Sequence, residues 1–149
     1  MKKILLIIIF FITSCGYQPI YLNKILKNNE FYKITLEGDI DINKKIVNAL
    51  SLKENEFDDT LNNLMLTTSF DEIVTSKNSK GQIKSYRSQI RLSLIVKNKK
   101  EEILNKMFIE QFSYNNKDNK FELLQYQEEV KNNLINKIIE DIVLFINLQ

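Results

Sequence analysis

The chain has 149 residues, 44% of them hydrophobic and 27% charged, which fits one folded domain and argues against a disordered chain. It holds no His and a single Cys, so a His general base, a Ser-His-Asp triad, a His-ligated metal, an internal disulfide and a thiolate cluster are all excluded. Its 21 basic and 19 acidic residues nearly balance, its three Gly form no Gly-rich cofactor loop, and no paired carboxylate, Lys or Tyr motif stands out for catalysis.

Lys2 and Lys3 precede an unbroken apolar run from Ile4 to Ile12. That run suits the apolar segment of a secretory signal peptide and falls short of the roughly 20 residues a membrane-spanning helix needs. It closes in Ile12-Thr13-Ser14-Cys15, which resembles the lipobox of bacterial lipoprotein precursors: an aliphatic residue, two small ones, then Cys. The resemblance implies that residues 1–14 are a cleaved signal peptide and that the Cys15 thiol carries a diacylglycerol, its amine being acylated after cleavage. Two or three acyl chains, at about 0.8 kcal/mol per buried methylene, hold a protein firmly on a membrane. An ordinary secretory signal with an incidental Cys is the competing reading, and it leaves the register of the three parts unexplained. Gly16 stands where an Asp would retain such a lipoprotein in the inner membrane, which points to the outer membrane. Loss of residues 1–14 removes Lys2 and Lys3 and no acid, leaving 19 basic against 19 acidic side chains. Nothing in that balance favours nucleic acid.

Residues 15–29 read as a tether, with Pro19 opposing early regular structure. Phe31 to Glu37 reads as a short strand with Tyr32, Ile34 and Leu36 on one face. Gly38 and Asp39 break it, and Asp41 is a candidate N-cap for a helix through about Leu52, lined by Ile42, Ile46, Ala49 and Leu50. Residues 53–60 are acidic and turn-like. Three alternating segments follow: Leu64, Leu66, Thr68, Phe70 and Val74 share one face of the first; Tyr86, Ser88, Ile90, Leu92, Leu94 and Val96 share one face of the second, opposite Arg87, Gln89, Arg91 and Ser93; and Phe108, Phe112 and Tyr114 align in the third. Short polar links at 76–81 and 98–102 suit hairpins. A helix from about Phe121 to Asn147 carries an apolar stripe of Val130, Leu134, Ile138, Ile142 and Phe145. At 1.5 Å per residue it runs about 40 Å, long enough to lie along the whole sheet. The order β-α-β-β-β-α predicts an α+β fold over residues 30–149: a two-layer sandwich of a four-stranded mixed sheet with two helices on one face.

The segment from Lys77 to Lys100 contains Lys77, Lys80, Lys84, Arg87, Arg91, Lys97, Lys99 and Lys100 and no acid. Arg forks bind phosphate oxygens in pairs, so Arg87, Arg91 and Lys84 form a candidate site for lipopolysaccharide or another anion. In the other reading this is a solvated hairpin whose charges meet acids from Glu54 to Asp59 and at Asp71 and Glu72, its loop lysines guarding sheet edges. Glu128, Glu129, Glu140 and Asp141 read as the solvated face of the last helix.

The start Cys15-Gly16-Tyr17-Gln18-Pro19-Ile20-Tyr21, the β-α-β-β-β-α order and the strand bearing Arg87, Gln89 and Arg91 together resemble the LptE family of LPS-assembly lipoproteins. That resemblance implies an outer-membrane lipoprotein facing the periplasm, a plug and partner of the LptD β-barrel, acting in lipopolysaccharide transport by binding and without catalysis, cofactor or nucleic acid. A free-standing periplasmic lipoprotein that binds lipid or serves the envelope structurally remains the alternative.

Overall fold

A computed structural model describes residues 29–99 and 101–147. The expected signal peptide, the lipidated Cys15 and the tether as far as residue 28 lie outside that range. In chain order the elements are β1 (Glu30–Phe31), β2 (Lys33–Gly38), α1 (Ile40–Ala49), β3 (Lys53–Glu54), β4 (Asn63–Lys77), β5 (Ile83–Lys97), β6 (Glu102–Asn115) and α2 (Lys120–Asn147). The main sheet has the order β2-β4-β5-β6, with β2 parallel to β4 and the other pairs antiparallel. α1 packs over β2 and β4, and α2 over β5 and β6. The two-layer α+β sandwich expected from the alternation is the observed fold.

The core lies between these layers. Leu64 and Leu66 of β4 and Ile90, Leu92 and Leu94 of β5 meet Ile42 and Ile46 of α1 and Leu134, Ile138 and Ile142 of α2. All are fully buried, and each such side chain contributes about 1.5–3 kcal/mol. The odd-numbered residues of β4, β5 and β6 point away from the helices, so the opposite sheet face is open.

Four local expectations change. The first strand is divided, because β1 pairs in parallel with β3 while β2 pairs with β4. Between them the Tyr32 N–H turns to Asn62 O at 2.8 Å, so Phe31 is the buried aromatic and Tyr32 is half-exposed. The N-cap of α1 is Asp39, whose Oδ1 accepts from the Ile42 N–H at 3.1 Å; Asp41 sits in the first turn, where its charge suits the helix dipole. α1 stops at Ala49, which is exposed, and Ser51 follows with φ 53°. Segment 53–60, expected as turn, begins with β3.

Two polar details hold α1 to the sheet. Gly38 has φ +77°, and a Cβ there would lie 2.0 Å from Thr68 O, so β2 and β4 approach closely only because the side chain is missing. Asn43, fully buried, donates from Nδ2 to Glu37 O at 2.7 Å and accepts from the Thr68 hydroxyl. Buried polar groups satisfied in this way cost little, whereas unpaired ones are expensive.

Candidate anion-contact surface

Strand alternation puts Arg87, Gln89, Arg91 and Ser93 of β5 on the open sheet face. Across the sheet, Arg91 stands between Ser69 of β4 and Ile109 of β6, and Arg87 stands between Ile73 and Ser113. Four residues along one strand span about 13 Å, so the two guanidinium groups are separate centres on one surface.

Their surroundings differ. Arg91 is committed to the sheet: Nη2 meets Asp71 Oδ2 at 2.5 Å, Nε donates to Ser69 Oγ at 3.3 Å and Nη1 to Gln89 Oε1 at 3.4 Å. Arg87 donates from Nε to Ser113 Oγ at 3.3 Å and has no carboxylate partner among the described residues. Its terminal nitrogens have no hydrogen-bond partner among the described residues.

Lys84 is placed differently from both. The pairing of β4 with β5 passes from Ser76↔Ser85 to Lys77↔Ile83, so Lys84 is the extra residue of an irregularity next to the turn. By alternation it has the parity of Tyr86, on the helix side. It therefore joins Arg87 at one end of the hairpin but does not share its face with Arg87 and Arg91.

The ion pairs divide the basic segment. Toward the 98–101 loop, Lys99 meets Asp59 at 2.7 Å and Lys97 approaches Glu102 at 3.9 Å. Toward the 78–82 turn, Lys77, Lys80, Lys84 and Arg87 meet no acid among the described residues. Asp58, beside Asp59, has its carboxyl held below the usual range by hydrogen bonds from the Thr60 hydroxyl and backbone. The segment is thus divided: acids neutralise one end, and cations with no acid partner among the described residues lie at the other.

The helix side of that same end carries a phenol with a shifted pKa. Tyr114 is buried against Tyr86 and Tyr126, and its hydroxyl lies 3.1 Å from Ser88 Oγ and donates to Glu72 Oε1 at 3.2 Å. Burial pushes the phenol pKa up; Ser88 and Gln127 oppose this and Glu72 adds to it. The sequence grouped Tyr114 with the apolar stripe and did not mark it. Among the described residues no helix is long and apolar enough to cross a membrane.

The fold is that of known lipoproteins. Rare lipoprotein B from Shewanella oneidensis superposes with a TM-score of 0.55 at 15% identity, over 78% of this chain and 98% of that one. A minor lipoprotein from Acinetobacter baumannii gives 0.57 at 13% identity, over 78% and 90%. A lipoprotein B from Nitrosomonas europaea gives 0.56 at 9% identity, over 76% and 82%. At such identities the likeness is one of fold. No protein-family model and no curated protein matches the sequence.

Proposed function

We propose that this protein is a lipoprotein of the bacterial envelope, anchored through Cys15 to the outer membrane and facing the periplasm. It serves lipopolysaccharide transport as plug and partner of an LptD-type β-barrel, and it acts by binding, without catalysis. The observation that carries this reading is the conjunction of a lipobox-like start with a fold that matches 98% of rare lipoprotein B and 78% of this chain. The open sheet face supports it. A barrel lumen is polar and water-filled, and the Ser, Thr, Gln and Arg side chains of this face suit that setting, while Ile73, Met107 and Ile109 add exposed apolar area beside them. Arg87, with Lys77, Lys80 and Lys84 nearby, supplies the unpaired cations that phosphates of a glycolipid headgroup need.

The test is co-expression of the tagged lipoprotein with the LptD-type barrel of its own genome, followed by purification in detergent. A stoichiometric complex is expected, and its absence would refute the partnership. A free-standing lipoprotein would bind lipopolysaccharide without the barrel. In a titration of the lipoprotein alone, Arg87→Ala should weaken binding by about tenfold to a hundredfold, since one charge-assisted contact is worth about 1.5–3 kcal/mol. Arg91→Ala should weaken it less, because Arg91 is engaged with Asp71. Equal effects would overturn the assignment of Arg87.

A further inference from the structure

An uncovered sheet edge templates another strand unless something blocks it. On one side of this sheet β2 is short, and its Ile34 N–H is taken by Glu54 Oε1 at 2.7 Å. Beyond β2, residues 69–77 of β4 lack a neighbour on that side, but register shifts on both sides of Ser76 interrupt the run, and Asp71, Glu72 and Lys77 charge it. The opposite edge, β6, is long and carries charge only at Glu102, Lys106 and Glu110. It pairs with β5 without a shift from Leu104 to Asn115 and with no other strand among the described residues. It contains no Pro and exposes Met107 (58%), Ile109 (48%) and Phe112 (46%).

The backbone of this edge has a defined phase. The Asn116 N–H donates to Lys84 O at 2.8 Å in the register of the β5–β6 pair, so even-numbered residues of β6 turn their backbone groups to β5 and odd-numbered ones turn theirs outward. We propose that β6 pairs antiparallel with β6 of a second copy of this chain, about a two-fold axis at Phe108, joining two sheets into one. This register sets Lys106 opposite Glu110, Met107 opposite Ile109 and Asn105 opposite Gln111, each pair occurring twice by symmetry. Its hydrogen-bonded pairs are odd with odd, as the outward backbone groups require. A slip of two residues either way sets Lys106 against Phe112 or Phe108 and loses both charge pairs.

The side chains are available for this pairing. Lys106 has no carboxylate partner among the described residues and rests 5.4 Å from the Phe145 ring centre. Glu110 reaches Lys137 only at 3.9 Å. A groove of about 460 Å³ runs between α2 and this edge, lined by Phe112, Tyr126, Asn133, Lys137 and Glu140 among others. Asn133, Lys137 and Glu140 continue at helical spacing to Leu144, which is 56% exposed, forming one stripe along the same edge. Across the axis the two α2 helices stand about two strand spacings apart, roughly 10 Å, an ordinary helix-packing distance. Each α2 then closes the groove of the other. The inference does not depend on the transport reading.

The experiment measures the mass of the full chain in detergent by sedimentation. Wild type should be a dimer, and Lys106→Glu alone or Glu110→Lys alone should raise the dissociation constant about tenfold or more, because each sets like charges opposite each other twice. Mixing the two variants one to one should restore the dimer, since unlike charges then face each other at both sites. That recovery also separates a lost contact from a misfolded variant. A monomeric wild type, single variants that dimerise as wild type does, or a mixture that stays monomeric would each overturn the proposal.

Discussion

Replacing Gly38 by Ala tests how closely β2 and β4 are held, with Gly81→Ala as its internal control. Both glycines have a left-handed backbone, with φ +77° and +79°. An L-residue in that conformation costs about 1–2 kcal/mol. At Gly81, in the 78–82 turn, a new Cβ meets nothing within 4 Å, so the cost ends there. At Gly38 the Cβ lies 2.0 Å from Thr68 O and 3.0 Å from Thr68 C, both backbone atoms that yield only if β4 moves. Thr68 O also accepts the Asp39 N–H at 2.8 Å, a bond worth about 1 kcal/mol. The Thr68 hydroxyl donates to buried Asn43, and a displaced donor there costs about 1–3 kcal/mol more. Gly38→Ala should therefore lose at least about 3 kcal/mol, against about 1–2 kcal/mol for Gly81→Ala. Urea unfolding followed by circular dichroism measures both. Losses agreeing within about 0.5 kcal/mol would refute the close approach, since the backbone term alone would then explain them.

Alkaline unfolding should depend on Tyr114. Its folded pKa lies above the unfolded value near 10, mainly through burial, so the stability it contributes is complete below about pH 10 and is lost as pH rises through the folded value. Melting temperatures of wild type and Tyr114→Phe across pH 8–11 should differ by a steady amount at the lower end and draw together at the alkaline end, with the variant declining less; parallel curves would remove Tyr114 from the effect. Ile73→Glu places a carboxylate opposite Arg87 on the open face, where Ile73 is 45% exposed. It should weaken lipopolysaccharide binding by the lipoprotein about as much as Arg87→Ala while leaving the melting temperature within a few degrees. Unchanged affinity would show that Arg87 does not contact the anion.

Much of the architecture is legible in the residue pattern because burial on one sheet face forces a period of two. Leu64 and Leu66, and Ile90 through Val96 at every second position, are buried as their alternation requires. The long helix is equally plain, since Val130, Leu134, Ile138 and Ile142 recur at its period and all are buried. The misses have local causes. Asp39 and Asp41 are equally good caps by composition, and Asp39 prevails because Gly38 turns the chain one residue earlier. Tyr32 is displaced because β1 pairs with β3, two strands of two residues each that leave no periodic signal. Asn43 looks like a solvated helix residue until Glu37 O and Thr68 are brought above it by the crossover from β2 to β4.

The candidate site was half legible for a related reason. Alternation alone assigns Arg87 and Arg91 to one face, but which of them is neutralised depends on the register between β4 and β5. That register runs through Asp71↔Gln89 and Ile73↔Arg87. It puts Asp71 on the open face, within reach of Arg91, and puts an apolar Ile73 directly opposite Arg87. Glu72, the neighbouring acid, falls on the other face, where it accepts from Tyr114 instead. A slip of one residue would exchange the faces of Asp71 and Glu72 and at the same time turn Leu64 and Leu66 out to solvent, which the core opposes strongly. The packing of Leu64, Leu66 and Thr68 beneath the helices thus holds the register that leaves Arg87 without an acid. The free cation is a consequence of the core, not a chance of the surface.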